Sequence, residues 1–333
     1  MSASTFHVGR TAVYDPAWQD TFPPAEQRSG DRLPSLITTV PKELVHRASA
    51  DQVLVTDWQR LDDARFSVTA QWPRSHSFYS PVAGGHYDPL LCAETIRQIA
   101  YVLGHAEFAV PFGYQFLLWD LGVTVHPEHL LVGEAPAILG LDVTCVDIKR
   151  RAGRLTGLSY EAVVRLDGLV VATGRASITC TSPAVYQRLR PEHVLLPEHC
   201  ALPLTAPAAP QSVGRLSPID VVLSPLAEAD RWQLRVDTLH PVLFDHWVDH
   251  VPGMVLMEAA RQAAAAALGR PSFMPLGIAS SFKRFAELDL PCFIEAERLY
   301  QDVPGAEEVI RVTGHQNGEL VYEALVTAPS YDC

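Results

Sequence analysis

A triplet of polar residues, E-x-x-R-Q, occurs twice on what reads both times as a buried helix, and no other feature of the chain limits its possible folds as much. Sliding the sequence over itself by 164 positions lays residues 76–127 on 240–291 without a gap. Nine positions coincide: His76/His240, His86/His250, Glu94/Glu258, Arg97/Arg261, Gln98/Gln262, Ala100/Ala264, Pro111/Pro275, Gly113/Gly277 and Pro127/Pro291. Self-similarity at one fixed offset is the signature of a duplicated structural unit.

Each copy reads as one long helix followed by strands. Asp88-Pro89 is an N-cap with proline at the first helical position, and helical character runs to about Ala106. Pro252-Gly253 precedes a second helix, Met254 to Leu268, which Gly269 and Pro271 end. Apolar runs of strand length follow at 112–119, 136–147, 156–166 and 169–179, then at 277–285, 292–300, 307–313 and 319–327. Asp167-Gly168 and Asn317-Gly318 sit between strands as hairpin turns. A long helix with an antiparallel meander makes an α+β unit in which one sheet wraps one central helix. The expected division is a poorly ordered leader over 1–35, a first unit over 36–180, a proline-rich linker over 181–218 and a second unit over 219–330.

The second helix, M-V-L-M-E-A-A-R-Q-A-A-A-A-A-L, is apolar nearly all round except at Glu258, Arg261 and Gln262, so it belongs in a core. The three stand at i, i+3 and i+4, on one side and within mutual reach. Glu94, Arg97 and Gln98 repeat the arrangement, with Tyr101 on the same side. A buried ion pair is costly and apolar residues would serve stability as well, so the pattern points to chemistry; the competing reading is a satisfied pair that tethers helix to sheet.

Composition closes off several classes. A net charge of -12 repels nucleic acid and anionic membranes, and no apolar run is long enough to span a bilayer without a charge inside it. The start of the chain lacks the order of a secretory signal, and six scattered cysteines form no C-x-x-C pair, so the expected compartment is the cytoplasm. His246, Asp249 and His250 precede Pro252 in a loop with no further ligand at a known spacing, so no metal is expected, and no cofactor either.

The run P-G-M-V-L-M-E-A-A-R-Q, residues 252–262, resembles the helix start of hotdog β-hydroxyacyl-thioester dehydratases, although the histidine that precedes P-G there has no counterpart here at the same spacing. A closer resemblance, spanning about residues 36–330, is to the A-factor synthase (AfsA-type) family. It rests on E-L-V-H-R (43–47), H-S-F-Y (76–79), D-P-L-L-C-A-E-T-I-R-Q (88–98), R-V-D-T (235–238), H-P-V-L-F-D-H (240–246), D-H-V-P-G-M (249–254) and V-T-G-H-Q-N-G-E (312–319). The resemblance implies a tandem (double) hotdog that transfers a β-ketoacyl group from acyl carrier protein to dihydroxyacetone phosphate, giving the precursor of a γ-butyrolactone-type signal. Two fused copies supply internally the pairing that single hotdogs reach by dimerising, so either a monomer or a homodimer is compatible.

Such a transfer needs a base, an oxyanion site and a cation for phosphate. Glu258 and Glu94 are the candidate bases, and Arg261 and Arg97 the partners that hold phosphate or keep the glutamates ionised. Gln262 and Gln98 complete each triplet. The N–H groups of Gly253 and Met254 suit an oxyanion, as does that of Leu90 in the first copy. His240, His246 and His250, with His76 and His86, recur around the loops before the helices; His246 and His250 are candidate catalytic residues, and His240, Gln262 and Gln98 candidate substrate ligands. Of Lys283 and Arg284, strand alternation would turn one inward towards phosphate. No G-x-S-x-G motif is present, which favours direct transfer without an acyl-enzyme. The K-R-R-A-G-R run, 149–154, is the clearest basic cluster for an acidic carrier protein. The second copy has the fuller helix start and is the favoured active one. Two other readings remain: a hotdog dehydratase or thioesterase, and a non-catalytic acyl-ligand binding regulator.

Overall fold

The computed structural model describes residues 38–82, 84–191, 201–299 and 305–330; the expected leader over 1–35 lies outside them. Among the described residues there are three α-helices and twelve strands; the two long helices and the strands behind them follow the predicted order, whereas a short helix falls inside the stretch read as a linker. The helices are α1 (Pro89–Val102), α2 (Pro183–Leu189) and α3 (Gly253–Leu268). The first half contributes β1 (Val55–Arg60), β2 (Arg65–Trp72), β3 (Gln115–Val125), β4 (Ala137–Arg151), β5 (Arg154–Leu166) and β6 (Leu169–Thr181). The second contributes β7 (Leu223–Pro225), β8 (Arg231–Leu234), β9 (Gly277–Phe282), β10 (Phe293–Leu299), β11 (Glu308–Gln316) and β12 (Glu319–Ala328).

All twelve strands form one antiparallel sheet in the order β1-β2-β4-β5-β6-β3-β9-β12-β11-β10-β8-β7. Six belong to each half, and the halves meet where β3 pairs with β9, from Asp120 opposite Ser281 to Thr124 opposite Gly277. Asp120 accepts from Ser177 Oγ of its own half and Ser281 Oγ of the other, both at 2.8 Å, which fastens the seam. α1 packs on the first half-sheet and α3 on the second, and a single apolar core runs through both. This is a double hotdog, as the pattern implied.

Local chemistry sets the boundaries. Asp88 caps α1 by accepting from Leu90 N–H at 2.9 Å, and Gly269, at φ 65, ends α3. Beyond Val102 the helix widens into one π-turn, Leu103–Glu107. Asp167-Gly168 and Asn317-Gly318 both have positive φ, the geometry of a type I′ turn whose twist matches that of the strands it joins. β9 stops at Phe282, short of the predicted 285. Lys283 and Arg284 therefore both point into solvent, and the expectation that one faces inward fails because strand alternation no longer applies there.

α1 is held to its sheet at close quarters. Trp72 Nε1–H donates to Thr95 Oγ1 at 2.8 Å, and Tyr160 donates to the Ile96 carbonyl at 2.5 Å. Ile96 itself lies against Gly174 of β6, where an added Cβ would overlap the Ile96 Cδ1 and come within 3.0 Å of the Gly122 carbonyl. Gly174→Ala should therefore lift α1 from the sheet and cost about 1–3 kcal/mol, as overpacking does. An unchanged urea midpoint in that variant would show that the helix has room there.

Candidate active site

Two ion networks, one per half, lie beside the seam. In the second half Glu258 accepts from Arg215 Nε (2.8 Å) and Nη2 (2.7 Å), from Arg261 Nε (3.0 Å) and Nη2 (2.6 Å), and from Gln262 Nε2 (2.5 Å). In the first, Glu94 accepts from Arg47 Nε (3.1 Å), Arg97 Nε and Nη2 (both 2.8 Å) and Gln98 Nε2 (2.8 Å). Gln98 also takes Leu54 N–H at 2.9 Å and donates to the Gln52 carbonyl at 2.8 Å; Gln262 does the same with Val222 (3.0 Å) and Asp220 (2.7 Å). The glutamines thus stitch the opening strand of each half onto its helix, and their polar atoms are spent in doing so.

Arg47 and Arg215 are the residues sequence reasoning missed as site members. Each ends a 3-10 turn, Lys42–Val45 or Pro210–Val213, after a residue of left-handed conformation, His46 (φ 52) or Gly214 (φ 71). Each then reaches across to the other half: Arg47 donates to the Val242 carbonyl (3.1 Å) and Asp245 (3.2 Å), and Arg215 to the Phe78 carbonyl (2.7 Å). The receiving loops are braced alike. His76 Nδ1 accepts from the N–H groups of Phe78 and Tyr79, and His240 Nδ1 from those of Val242 and Leu243. His76 and His240 are loop braces.

Burial alone would raise both glutamates, but the paired guanidiniums overcome it and hold Glu94 and Glu258 down to about 2, against an ordinary 4.5. A carboxylate that is ionised and already accepts four or five hydrogen bonds is a poor general base. Its geometry suits a clamp that locks helix, opening segment and opposite loop together.

The two networks differ in what surrounds them. In the second half Glu258 and Arg261 are sealed, and Gly214 lies so close that an added Cβ would come within 2.5 Å of the Pro271 carbonyl. In the first half Arg97 keeps some exposure, and its Nη1 donates to Tyr101 Oη at 2.8 Å. His46 stacks on Tyr101, with ring centroids 4.4 Å apart, and its Nε2 lies 2.7 Å from His105 Nε2. His105 Nδ1 lies 2.7 Å from the Val110 carbonyl, which can only accept, so the proton sits on Nδ1. The bare His105 Nε2 then accepts from His46 Nε2–H, leaving His46 Nδ1 as a free lone pair. The second-half counterparts of His46, Tyr101 and His105 are Gly214, Ala265 and Gly269, none of which can take part in proton transfer.

The helix starts differ in the complementary sense. Asp88 caps α1, lies buried in the field of Arg261 and Arg215, and occupies Leu90 N–H, so the expected oxyanion donor of the first copy is already taken. Pro252 offers α3 no side-chain cap, and the N–H groups of Gly253 and Met254 have no intrahelical acceptor. Gly253 lies against Phe282 and against Leu118 of the first half, 3.1 and 3.4 Å from where its Cβ would be. Two residues before Leu118, on the same face of β3, Phe116 packs against His46, Tyr101 and His105 at 5.0–5.2 Å. The free helix start of the second half and the histidine cluster of the first therefore flank one face of β3.

His246 lies near enough for its charge to act on His46. Its Nδ1 donates to Asp245 at 2.5 Å, Asp245 also binds Arg47, and the ring is nearly half exposed. His250 sits apart: Asp249 accepts its Nδ1–H at 2.7 Å and is held in turn by Tyr186 and Arg190, a cluster that fastens α2 to this loop. Glu258, Arg261 and Gln262 thus belong to a closed clamp; in the first triplet Glu94 and Gln98 are equally buried, and Arg97 keeps some exposure. The sequence favoured the second copy, whose ion network is the more enclosed of the two.

Two outcomes follow from the clamps. Glu258→Gln strands two buried arginines and should lower stability by about 3–5 kcal/mol, measured by urea unfolding. Because the folded carboxyls titrate near 2 and the unfolded ones near 4.5, their stabilisation is complete above about 4.5 and is lost as pH falls towards 2. A urea midpoint independent of pH across that window would mean the glutamates are not held ionised.

Similarity to known proteins agrees with this architecture. A family model described as the A-factor biosynthesis hotdog domain matches residues 29–182 and 198–330. The 2-oxo-3-(phosphooxy)propyl 3-oxoalkanoate synthase of Streptomyces virginiae is 55% identical over 291 residues, 87% of this chain and 98% of that protein. The synthase of the same name from Streptomyces coelicolor is 42% identical, covering 88% and 92%. Among solved structures, an acyl-ACP thioesterase from Bacteroides thetaiotaomicron overlays with a TM-score of 0.47 at 11% identity, covering 79% of this chain and 97% of that one. The chain belongs to the A-factor biosynthesis (AfsA) hotdog family.

Proposed function

We propose that this protein is an acyltransferase that condenses a β-ketoacyl thioester, carried on acyl carrier protein, with the hydroxyl of dihydroxyacetone phosphate. The product is a phosphorylated β-ketoacyl ester, a precursor of a γ-butyrolactone-type signal. The reaction is taken from relatives that match this chain over nearly their whole length. What supports placing the reaction here is the pairing of His46, hydrogen-bonded through Nε2 to His105, with a helix start that carries no side-chain cap.

In this reading the thioester carbonyl lies at Gly253 and Met254, whose N–H groups and helix dipole meet the developing oxyanion. The phosphate lies against Arg97 and His246, and the acceptor hydroxyl against His46 Nδ1. The hydroxyl oxygen attacks the carbonyl carbon while His46 takes its proton. The tetrahedral intermediate then collapses with loss of the carrier thiolate, to which His46 returns the proton. Nothing in the sequence calls for an acyl-enzyme. Glu94 and Arg47 act behind this layer by fixing Arg97 and Asp245.

Burial, and then the charges of His105, Arg97 and His246, lower His46 to about 3. It is neutral at physiological pH but a weak base. A phosphate dianion against Arg97 and His246 offsets their charges and raises the His46 pKa, leaving the larger effect of burial in place, so the base gains strength when the acceptor is bound. This coupling favours transfer over hydrolysis of the thioester.

Mass spectrometry of the purified protein with a β-ketoacyl carrier protein and dihydroxyacetone phosphate should show the phosphorylated ester. Release of free acid alone would favour a hotdog thioesterase, and no turnover would favour an acyl-binding regulator. His46→Gln should lower kcat by roughly 100-fold or more, as loss of a general base does, with little change in thermal stability. Wild-type turnover in that variant would remove His46 from the mechanism.

A further inference from the structure

We propose that the β4–β5 hairpin, through Arg150, Arg151 and Arg154, is the docking surface for the acidic carrier protein that delivers the thioester; this rests on the acyl-transfer reading above. The chain carries 26 basic and 38 acidic side chains, so an acidic partner is repelled by most of its surface. The hairpin departs from this, with Lys149, Arg150, Arg151 and Arg154 all exposed within six positions. Ala152-Gly153, at φ 50 and 79, turns β4 back on β5 and projects the three arginines into solvent on either side of the turn.

Most arginines of the fold that lie near a carboxylate pair with it, and the neighbourhood of the hairpin is no different. Asp62 is paired with Arg65, Glu107 with Arg60 and Asp147 with Lys149. Among the described residues no carboxylate pairs with Arg150, Arg151 or Arg154. Three unneutralised guanidiniums on one turn form a focused positive site of the kind that steers association.

The position joins this patch to the reacting groups. Arg154 Nη1 donates to Tyr114 Oη at 3.4 Å, and the Arg150 guanidinium lies over the Phe108 ring at 5.4 Å. Phe108 and Tyr114 bound the loop from the π-turn to β3. On that loop the exposed Phe112 stacks on His105 at 4.5 Å, and His105 holds His46. A carrier seated on the hairpin is thus one loop away from the histidine cluster, and Phe112 offers an apolar surface along the way.

The test compares wild type with Arg150→Glu/Arg151→Glu/Arg154→Glu, using a β-ketoacyl acyl carrier protein and the same acyl group as its N-acetylcysteamine thioester. Charge reversal should lower kcat/KM for the carrier substrate by roughly tenfold or more, and make what remains insensitive to salt, while turnover of the small thioester is unchanged. Calorimetric binding of the carrier, which needs no turnover, should weaken in parallel. If wild type binds the carrier through the arginines but makes no ester, the docking inference holds and the acyl-transfer reading fails. Equal carrier binding and equal kcat/KM in the two proteins overturn the docking surface. An equal loss with both substrates overturns it as well, because the arginines would then serve the catalytic face rather than the carrier.

Discussion

Each half of this protein is organised by one carboxylate shared between two arginines. Removing three ions from water costs several kcal/mol each, and only dense pairing returns it. Glu94 and Glu258 achieve that by binding an arginine on their own helix and another from the segment before the first strand. That second arginine also donates to a backbone carbonyl of the opposite half. The same contact therefore closes each hotdog and joins the two, which accounts for the continuous core and for loops braced by His76 and His240 in matching ways.

Duplication explains the pair of clamps, and divergence around them explains a single site. A clamp needs only its glutamate, arginines and glutamine, and both copies retain these. Proton transfer needs a histidine with one nitrogen committed and the other free, and only the first copy supplies His46 with His105 behind it. An oxyanion needs an uncapped helix start, and only α3 has one, since Asp88 closes α1. In the proposed reading neither half is complete alone, and the functional unit is the fused pair.

Much of this was legible in the sequence, because period and punctuation report directly on backbone geometry. The E-x-x-R-Q triplets, the Asp88-Pro89 and Pro252-Gly253 starts and the two type I′ turns fixed both helices and most strands within a few residues. The lost information was of another kind. Arg47 and Arg215 repeat in a register four residues away from that of the helices, so a gapless comparison passes over them, and Arg215 falls in a stretch that reads as linker. The matching V-x-R runs, Val45 to Arg47 and Val213 to Arg215, were the available signal. Lys283 and Arg284 were misplaced because a strand's end is set by its neighbour, here by where the pairing of β9 with β12 ends at Phe282, and not by its own residues. The spacing of Glu258 and Arg261 was right about burial, but spacing cannot tell a reactive pair from a saturated one.

That distinction bears on why a thioester is passed to an alcohol and not to water. An ionised glutamate with every lone pair engaged has no reason to activate a solvent molecule, whereas a free carboxylate beside a thioester would do so continuously. In the proposed reading the base is instead His46, which burial, and then the charges of His105, Arg97 and His246, keep weak. A phosphorylated acceptor changes that field by its own charge. In the proposed reading the acceptor then both supplies the hydroxyl and strengthens the base that activates it, so that electrostatics contributes to selectivity against water.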